Sequence, residues 1–189
     1  MSYVPTLAQA RELMEEFNAE EFHRRHAEIV SGVMGFFARE FDPENEEYWA
    51  VVGMLHDLDF ERYPDEHCVK EIEIMRGRDI DESVIRACAC HGYGLVPVEF
   101  APERKMEKVL FAIDELTGLI GAVAMIRPSK SVDDLEVKSV MKKFKQPTFA
   151  AGCSRDVIAQ GAEGLEMTTE ELADRTIAAM RSLNPRLGI

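Results

Sequence analysis

Histidine and aspartate interrupt apolar helical runs at three separated places in this chain. His26 has Phe22 four residues before it, and Ile29, Val30 and Val33 three, four and seven residues after it. Its side chain therefore points along an apolar helical stripe. A buried neutral imidazole needs a partner for each ring nitrogen, and a metal ion is one such partner. Taken alone, a hydrogen-bonded core histidine is the simpler account. His56 and Asp57 follow the run Val51-Val52-Gly53-Met54-Leu55, which sets two polar side chains at the inner end of an apolar helix. Adjacent residues on a helix diverge by about 100°, so both can hold one ion only near a helix end. Asp114 follows Val109-Leu110-Phe111-Ala112-Ile113 and precedes Leu116, Leu119 and Ile120. An ionised carboxylate in such surroundings costs several kcal/mol unless it is paired or bound to a metal. A salt bridge to an arginine and an exposed helix face are the alternatives, and the apolar neighbours argue against the exposed face.

Two further histidines stand between the His-Asp pair and Asp114. His67 opens a helix after the turn Tyr63-Pro64-Asp65, and His91 closes the following helix 24 residues later. Singly, each has a plain reading: an exposed helix start for His67, and for His91 a helix C-terminus favoured by the dipole. His23 is left over, either exposed or lying outside the ligand set. The four cysteines (Cys68, Cys88, Cys90, Cys153) contain no CxxC pair and read as free thiols of a reducing compartment. Cys88-Ala-Cys90-His91 is too tight for a zinc knuckle, so Cys88 and Cys90 read as small buried residues on a helix.

The order His26…His56-Asp57…Asp114 on a helical chain resembles the HD superfamily of metal-dependent phosphohydrolases, over about residues 20–125. The resemblance implies that these four residues hold one divalent ion. His67 and His91 make the chain similar to the binuclear branch, which implies a second ion at those two histidines with Asp57 bridging both. The strings GMLHDLDFERYPDEH, HGYG, FAIDELTGLI, RPSKS, VKSVMKKFK and FAAGCSRDVIAQGAEGL resemble a group of small bacterial and archaeal HD hydrolases of undefined substrate, over nearly the whole chain.

The implied cofactor is two divalent ions, and a histidine–carboxylate set suits iron, manganese, cobalt, nickel or zinc alike. The implied reaction is hydrolysis of a phosphate ester, on a nucleotide or another small phosphorylated compound, by a metal-activated water. Asp57 is then catalytic as the bridge, and Asp59 as a group that orients a water or a ligand histidine. Glu61 and Glu115 lie near the motifs, and Glu61 reads as an ordinary solvated or helix-capping acid. Two other readings remain. Inositol oxygenase and a phosphonate oxygenase resemble the same scaffold, which allows a di-iron oxygenase. A non-catalytic metal-containing regulator is the third, and the intact ligand set argues against it.

Helices must carry these residues, and the pattern predicts little else. Thr6 can cap a helix through about Phe17, and Asn18 another through about Phe41 with Phe22, Ile29, Val30, Val33, Phe36 and Phe37 on its core stripe. Shorter helices are expected over about 48–55, 66–75 and 81–91, the last capped by Asp81. A long helix spans about 104–126, and three more cover about 132–144, 153–163 and 168–183. No sustained period-two alternation is present. With 189 residues and 46% apolar content, the expectation is one all-α domain over 1–189. Its metal-site core lies at about 20–125, and helices at about 130–183 pack on it.

No stretch approaches the roughly 20 apolar residues of a membrane span, and the start lacks a secretory pattern, so a cytoplasmic location is expected. The net charge of −13 argues against general nucleic-acid binding. Residues 127–145 nonetheless carry a local charge of +3. Arg127, Lys130, Lys138 and Lys142 are therefore candidate contacts to substrate phosphate oxygens. Lys142 shares its neighbourhood with Lys143 and Lys145, which also suits a solvated face. Arg127 lies about 20 Å along the helix from Asp114. Lys138 is better placed if a helix starting near Val132 runs back antiparallel.

Overall fold

Thr6 sets the first helix in place through a capping box: its hydroxyl accepts from Gln9 N, and the Gln9 side chain accepts from Thr6 N. That helix, α1 (Leu7–Phe17), opens an all-α computed structural model that describes residues 2–188, the side chains of 184–186 excepted. Nine α-helices and three short 3-10 turns are present, with no strand among the described residues. The chain divides into two compact units, residues 1–110 and 111–189.

The first unit contains α1, α2 (Glu21–Phe41), α3 (Glu46–Leu55), α4 (Val69–Gly77) and α5 (Glu82–Ala89). Its centre is the antiparallel pair α2 and α3. Ala27, Val30, Val33, Met34 and Phe37 are buried on α2, and every residue from Trp49 to Leu55 is buried on α3. Gly53 permits the approach. A Cβ there would lie 2.8 Å from Ser31 Cα, and the Ser31 hydroxyl donates to Ala50 O at 2.8 Å. This contact fixes the register that sets the end of α3 against His26.

Two expectations at the start of α2 need correction. Phe22 is 75% exposed rather than on the core stripe. Gly35 of α2 faces Glu46 at the start of α3, and Ser31 faces Gly53 near its end. With ten residues against 21, α3 ends before it reaches the first turn of α2, so nothing of α3 covers Phe22. Asn18 does not cap α2 either. It is buried at the end of α1, where its side-chain amide donates to Met14 O and Leu58 O. Glu61 takes the capping role by accepting from Ala19 N and Glu20 N, both at 3.0 Å. That carboxylate ties the loop after Asp57 to the start of the helix bearing His26.

The histidine loops also differ from expectation. His67 precedes its helix, in an extended conformation after the 3-10 turn Pro64–Glu66. His91 lies beyond α5, in the 3-10 turn Cys90–Gly92. Asp81 caps α5 by accepting from Ser83 N, as its sequence suggests.

The division between the units falls inside α6 (Lys105–Met125). The second unit adds α7 (Val137–Phe144), α8 (Arg155–Gly164) and α9 (Thr169–Leu187). Gly161 of α8 sits against Ala112 of α6 so closely that a Cβ would meet Ala112 Cα at 2.5 Å. The helix expected from 132 starts five residues later. Arg181 donates to Val132 O and Leu135 O, and Asp134 is held by Arg127 and Ser129, so this stretch is fixed as a loop. No helix among the described residues is long and apolar enough to cross a membrane.

Gly53→Ala should destabilise the protein by about 1–3 kcal/mol, because backbone lies in the path of the new methyl group. Gly77→Ala, with nothing within 4 Å of the added Cβ, should be neutral or stabilising. Urea denaturation of both variants checks this, and equal midpoints would contradict the close approach.

Candidate metal centre

Helix α3 stops at Leu55, and the next two residues carry the first side chains of the cluster. His56 is completely buried at the helix C-cap, and its Nδ1 lies 2.9 Å from Gly53 O. Its Nε2 stands 3.2 Å from His26 Nε2, across from α2. His67 and His91, from the two loops of α4 and α5, bring their Nε2 atoms to 3.0 Å of each other. Asp57 lies between the pairs. Its Oδ2 is 3.5 Å from both His26 Nε2 and His56 Nε2. Its Oδ1 is 3.4 Å from His67 Nε2 and 3.5 Å from His91 Nε2. One carboxylate thus presents one oxygen to each of two imidazole pairs.

The outer ring nitrogens determine what the inner ones are. His56 Nδ1 faces the carbonyl of Gly53, and His91 Nδ1 faces Cys88 O at 2.7 Å. A carbonyl only accepts, so both Nδ1 atoms carry hydrogen and both Nε2 atoms offer lone pairs. His67 Nδ1 donates to Asp59 Oδ1 at 2.7 Å, which turns its Nε2 inward in the same way. Two such lone pairs 3.0 Å apart repel unless a cation lies between them. A proton on one ring supplies that charge to one partner. A divalent ion supplies it to both nitrogens and to the Asp57 oxygen together. Ligand nitrogens on one ion, at bonds of about 2.0–2.1 Å, stand roughly 3.0–3.4 Å apart. The donor set and its spacing fit a metal ion at each pair.

Around the His67 side, the acids are buried. Asp59 is fully buried, with Oδ1 on His67 and Oδ2 accepting from Glu71 N at 2.7 Å. Both oxygens are engaged, so Asp59 positions His67. Burial is the largest single effect and pulls the His67 pKa down, but the hydrogen bonds to Asp59 and Cys68 and the Asp57 charge together outweigh it and raise the metal-free ring to about 9. Glu71 is fully buried and neither of its carboxylate oxygens has a hydrogen-bond partner, and burial drives its pKa well above the usual carboxylate range. Cys68 is also buried, with its sulfur 3.8 Å from His91 Nε2. Burial raises a thiol pKa, but the neighbouring His91 and His67 bring this one down to about 7.

Sequence reasoning passed over Cys68 and Glu71. Cys68 was read with the other cysteines as a free thiol, and its adjacency to His67 was the available signal. Glu71 left none, since an acid in the first turn of a helix is commonplace. Cys88 and Cys90 behave as buried thiols: they donate to Val52 O and Ala87 O, and burial raises both pKa values. Glu61 clamps the start of α2, as described above. His23 packs between Phe22 and Phe60 and faces Glu20.

In the second unit, Asp114 and Glu115 are half-buried on α6 between the buried Ile113 and Leu116. Two of the six basic residues at 127–145 face acids of their own segment. Arg127 pairs with Asp134 at 2.8 Å, and Lys138, 79% exposed, pairs with Glu136 at 2.5 Å. Lys130 and Lys142 are exposed. No protein-family model, no curated protein and no solved structure matches the chain. The chemistry of the cluster therefore rests on its own geometry.

Asp59→Asn should leave the fold intact while turning an amide donor toward His67 or Glu71 N, which disturbs the ring that Asp59 fixes. Metal affinity at the His67–His91 pair should fall about 10- to 100-fold. In chelator-treated wild-type protein, NMR titration should find His67 charged up to about pH 9, and the variant should lose that shift. Because the folded pKa exceeds the ordinary 6.5, the stability contributed by the charged ring is present below pH 6.5 and fades as pH rises through 9. An unshifted His67 in wild type would contradict the assigned hydrogen bond.

Proposed function

We propose that this protein is a binuclear metal-dependent hydrolase of the HD type, acting on a phosphate ester of a nucleotide or another small phosphorylated compound. One observation carries the reading: the Asp57 carboxylate presents Oδ2 to the His26–His56 pair and Oδ1 to the His67–His91 pair. His26, His56 and Asp57 hold one ion, with Asp114 as the further carboxylate that the sequence order suggests. His67, His91 and Asp57 hold the other.

Two divalent ions in these positions supply a water that deprotonates near neutral pH and a positive field for the developing charge on phosphorus. The chain's own residues keep the arrangement ready. The carbonyls of Gly53 and Cys88 fix the tautomers of His56 and His91, and Asp59 fixes His67. Ligand orientation is thus set before substrate arrives, which is where the rate advantage of a rigid site originates. His26, Asp57 and His67 are partly open to solvent, the first two most of all, so substrate reaches the cluster from their side. Arg127 and Lys138 must exchange their carboxylate partners for phosphate if they take part, whereas Lys130 and Lys142 are the exposed cations of the same segment.

Metal analysis of anaerobically purified protein should find two divalent ions per chain. His91→Ala should reduce this toward one, and Asp57→Ala should remove both and lower phosphatase activity about 10²–10⁴-fold. The activity assay is a screen of p-nitrophenyl phosphate and nucleotides with each metal restored. Normal metal content in Asp57→Ala, or a wild type that takes up no divalent ion, would overturn the reading.

A further inference from the structure

Cys68 has a setting unlike those of the other two buried cysteines. The sulfurs of Cys88 and Cys90 point at backbone carbonyls, as thiol donors do. The Cys68 sulfur instead faces His91 Nε2, the atom whose lone pair the Cys88 carbonyl has already assigned. The Cys68 sulfur and one ring nitrogen from each of His67 and His91 lie within 4.8 Å of one another. We propose that Cys68 binds as a thiolate to the ion held by His67 and His91, so that the second metal site is a sulfur-containing one selective for a soft or borderline divalent cation such as zinc, cobalt or ferrous iron. This rests on the binuclear reading above and deepens it.

The distances suit the assignment. With metal–sulfur bonds of about 2.3 Å and metal–nitrogen bonds of about 2.0–2.1 Å, neighbouring sulfur and nitrogen ligands stand roughly 3.5–3.8 Å apart. The observed separation is 3.8 Å. The surroundings make room for this sulfur. A Cβ on Gly92 would lie 2.6 Å from Cys68 Sγ, so any larger residue beside His91 would displace it. The backbone at Cys68 is left-handed, with φ of 63°, a conformation that L-residues rarely adopt.

Glu71 provides an independent observation. It is fully buried, and both carboxylate oxygens lack a hydrogen-bond partner. Burial keeps such a carboxyl protonated, and it can ionise in place only with positive charge close by. An ion on the Cys68 thiolate supplies it. The two halves of the centre would then differ in kind: nitrogen and oxygen donors at the His26–His56 pair, and nitrogen, oxygen and sulfur at the His67–His91 pair. Thiolate favours zinc, cobalt or iron over magnesium or calcium at that half.

The test is cobalt(II) titration of chelator-treated full-length protein, wild type beside Cys68→Ala and Cys68→Gly. Glycine relieves the left-handed backbone, so the second variant folds even if the first does not. Wild type should bind two cobalt ions and develop a thiolate-to-cobalt charge-transfer absorption in the near ultraviolet. Both variants should lose that absorption and bind one of the two ions at least about tenfold more weakly, with the other unchanged. Two bound cobalt ions without the absorption, or an absorption that persists in both variants, would overturn the thiolate ligand and leave the binuclear reading standing. Failure of wild type to bind cobalt, zinc or iron would overturn both.

Discussion

Four imidazole nitrogens surround one carboxylate, and hydrogen bonds on the far side of three of the rings turn their lone pairs inward, an arrangement held only against electrostatic cost. Like-oriented lone pairs at 3.0–3.2 Å repel, and the low-dielectric interior magnifies that repulsion. The protein meets this by making the outer ring nitrogens donors to fixed acceptors, so the rings cannot turn away without losing buried hydrogen bonds. Each of those acceptors belongs to the scaffold: Gly53 O lies on α3, Cys88 O on α5, and Asp59 in the loop that follows the His-Asp pair. The close approach of α2 and α3 at Gly53 and Ser31 exists in the service of the same geometry. It sets the register that brings His26 and His56 together. Glu61 then ties that loop back to the start of α2.

The sequence made His26 visible because it is polar where the helical period demands an apolar residue. His56 and Asp57 also stood at the end of an uninterrupted apolar run, and α3 stops there. What periodicity could not show was where a helix loses its partner. Phe22 falls on the apolar stripe of α2 by spacing, yet α3 is too short to cover it. It also could not show loops: His67 and His91 were placed at helix ends, whereas both lie in irregular backbone just outside them. That displacement is functional in consequence, since extended and 3-10 segments can turn two side chains toward one point more freely than the fixed pitch of an α-helix allows. Cys68 and Glu71 stayed hidden for a different reason. Their significance comes from tertiary neighbours, and nothing in a first-turn acid or a lone cysteine distinguishes them locally.

Electrostatics sets a condition on the proposed phosphate-ester substrate. Asp57 and Asp59 concentrate negative charge around the histidines, and a chain of net charge −13 adds to the field. Such a centre repels a phosphate until cations are in place and attracts it afterwards, so the proposed substrate binding depends on prior metal loading. The basic segment at 127–145 does not offset this by itself, because Arg127 and Lys138 are each neutralised by a neighbouring acid.

Within each pair of histidines one ring is enclosed and one is more open. His56 is fully enclosed and His91 retains 4% of its side-chain surface, whereas His26 retains 19% and His67 12%. The pairs therefore differ less in access to water than in donor chemistry, since the enclosed Cys68 sulfur lies beside the second pair. Thiolate and imidazole discriminate among divalent cations more sharply than carboxylate does. Asp57 alone belongs to both halves of the proposed centre. Charge drawn from one of its oxygens alters the donor strength of the other, so the identity of an ion at the His67–His91 half would tune the reactivity of one at the His26–His56 half without any movement of the surrounding helices.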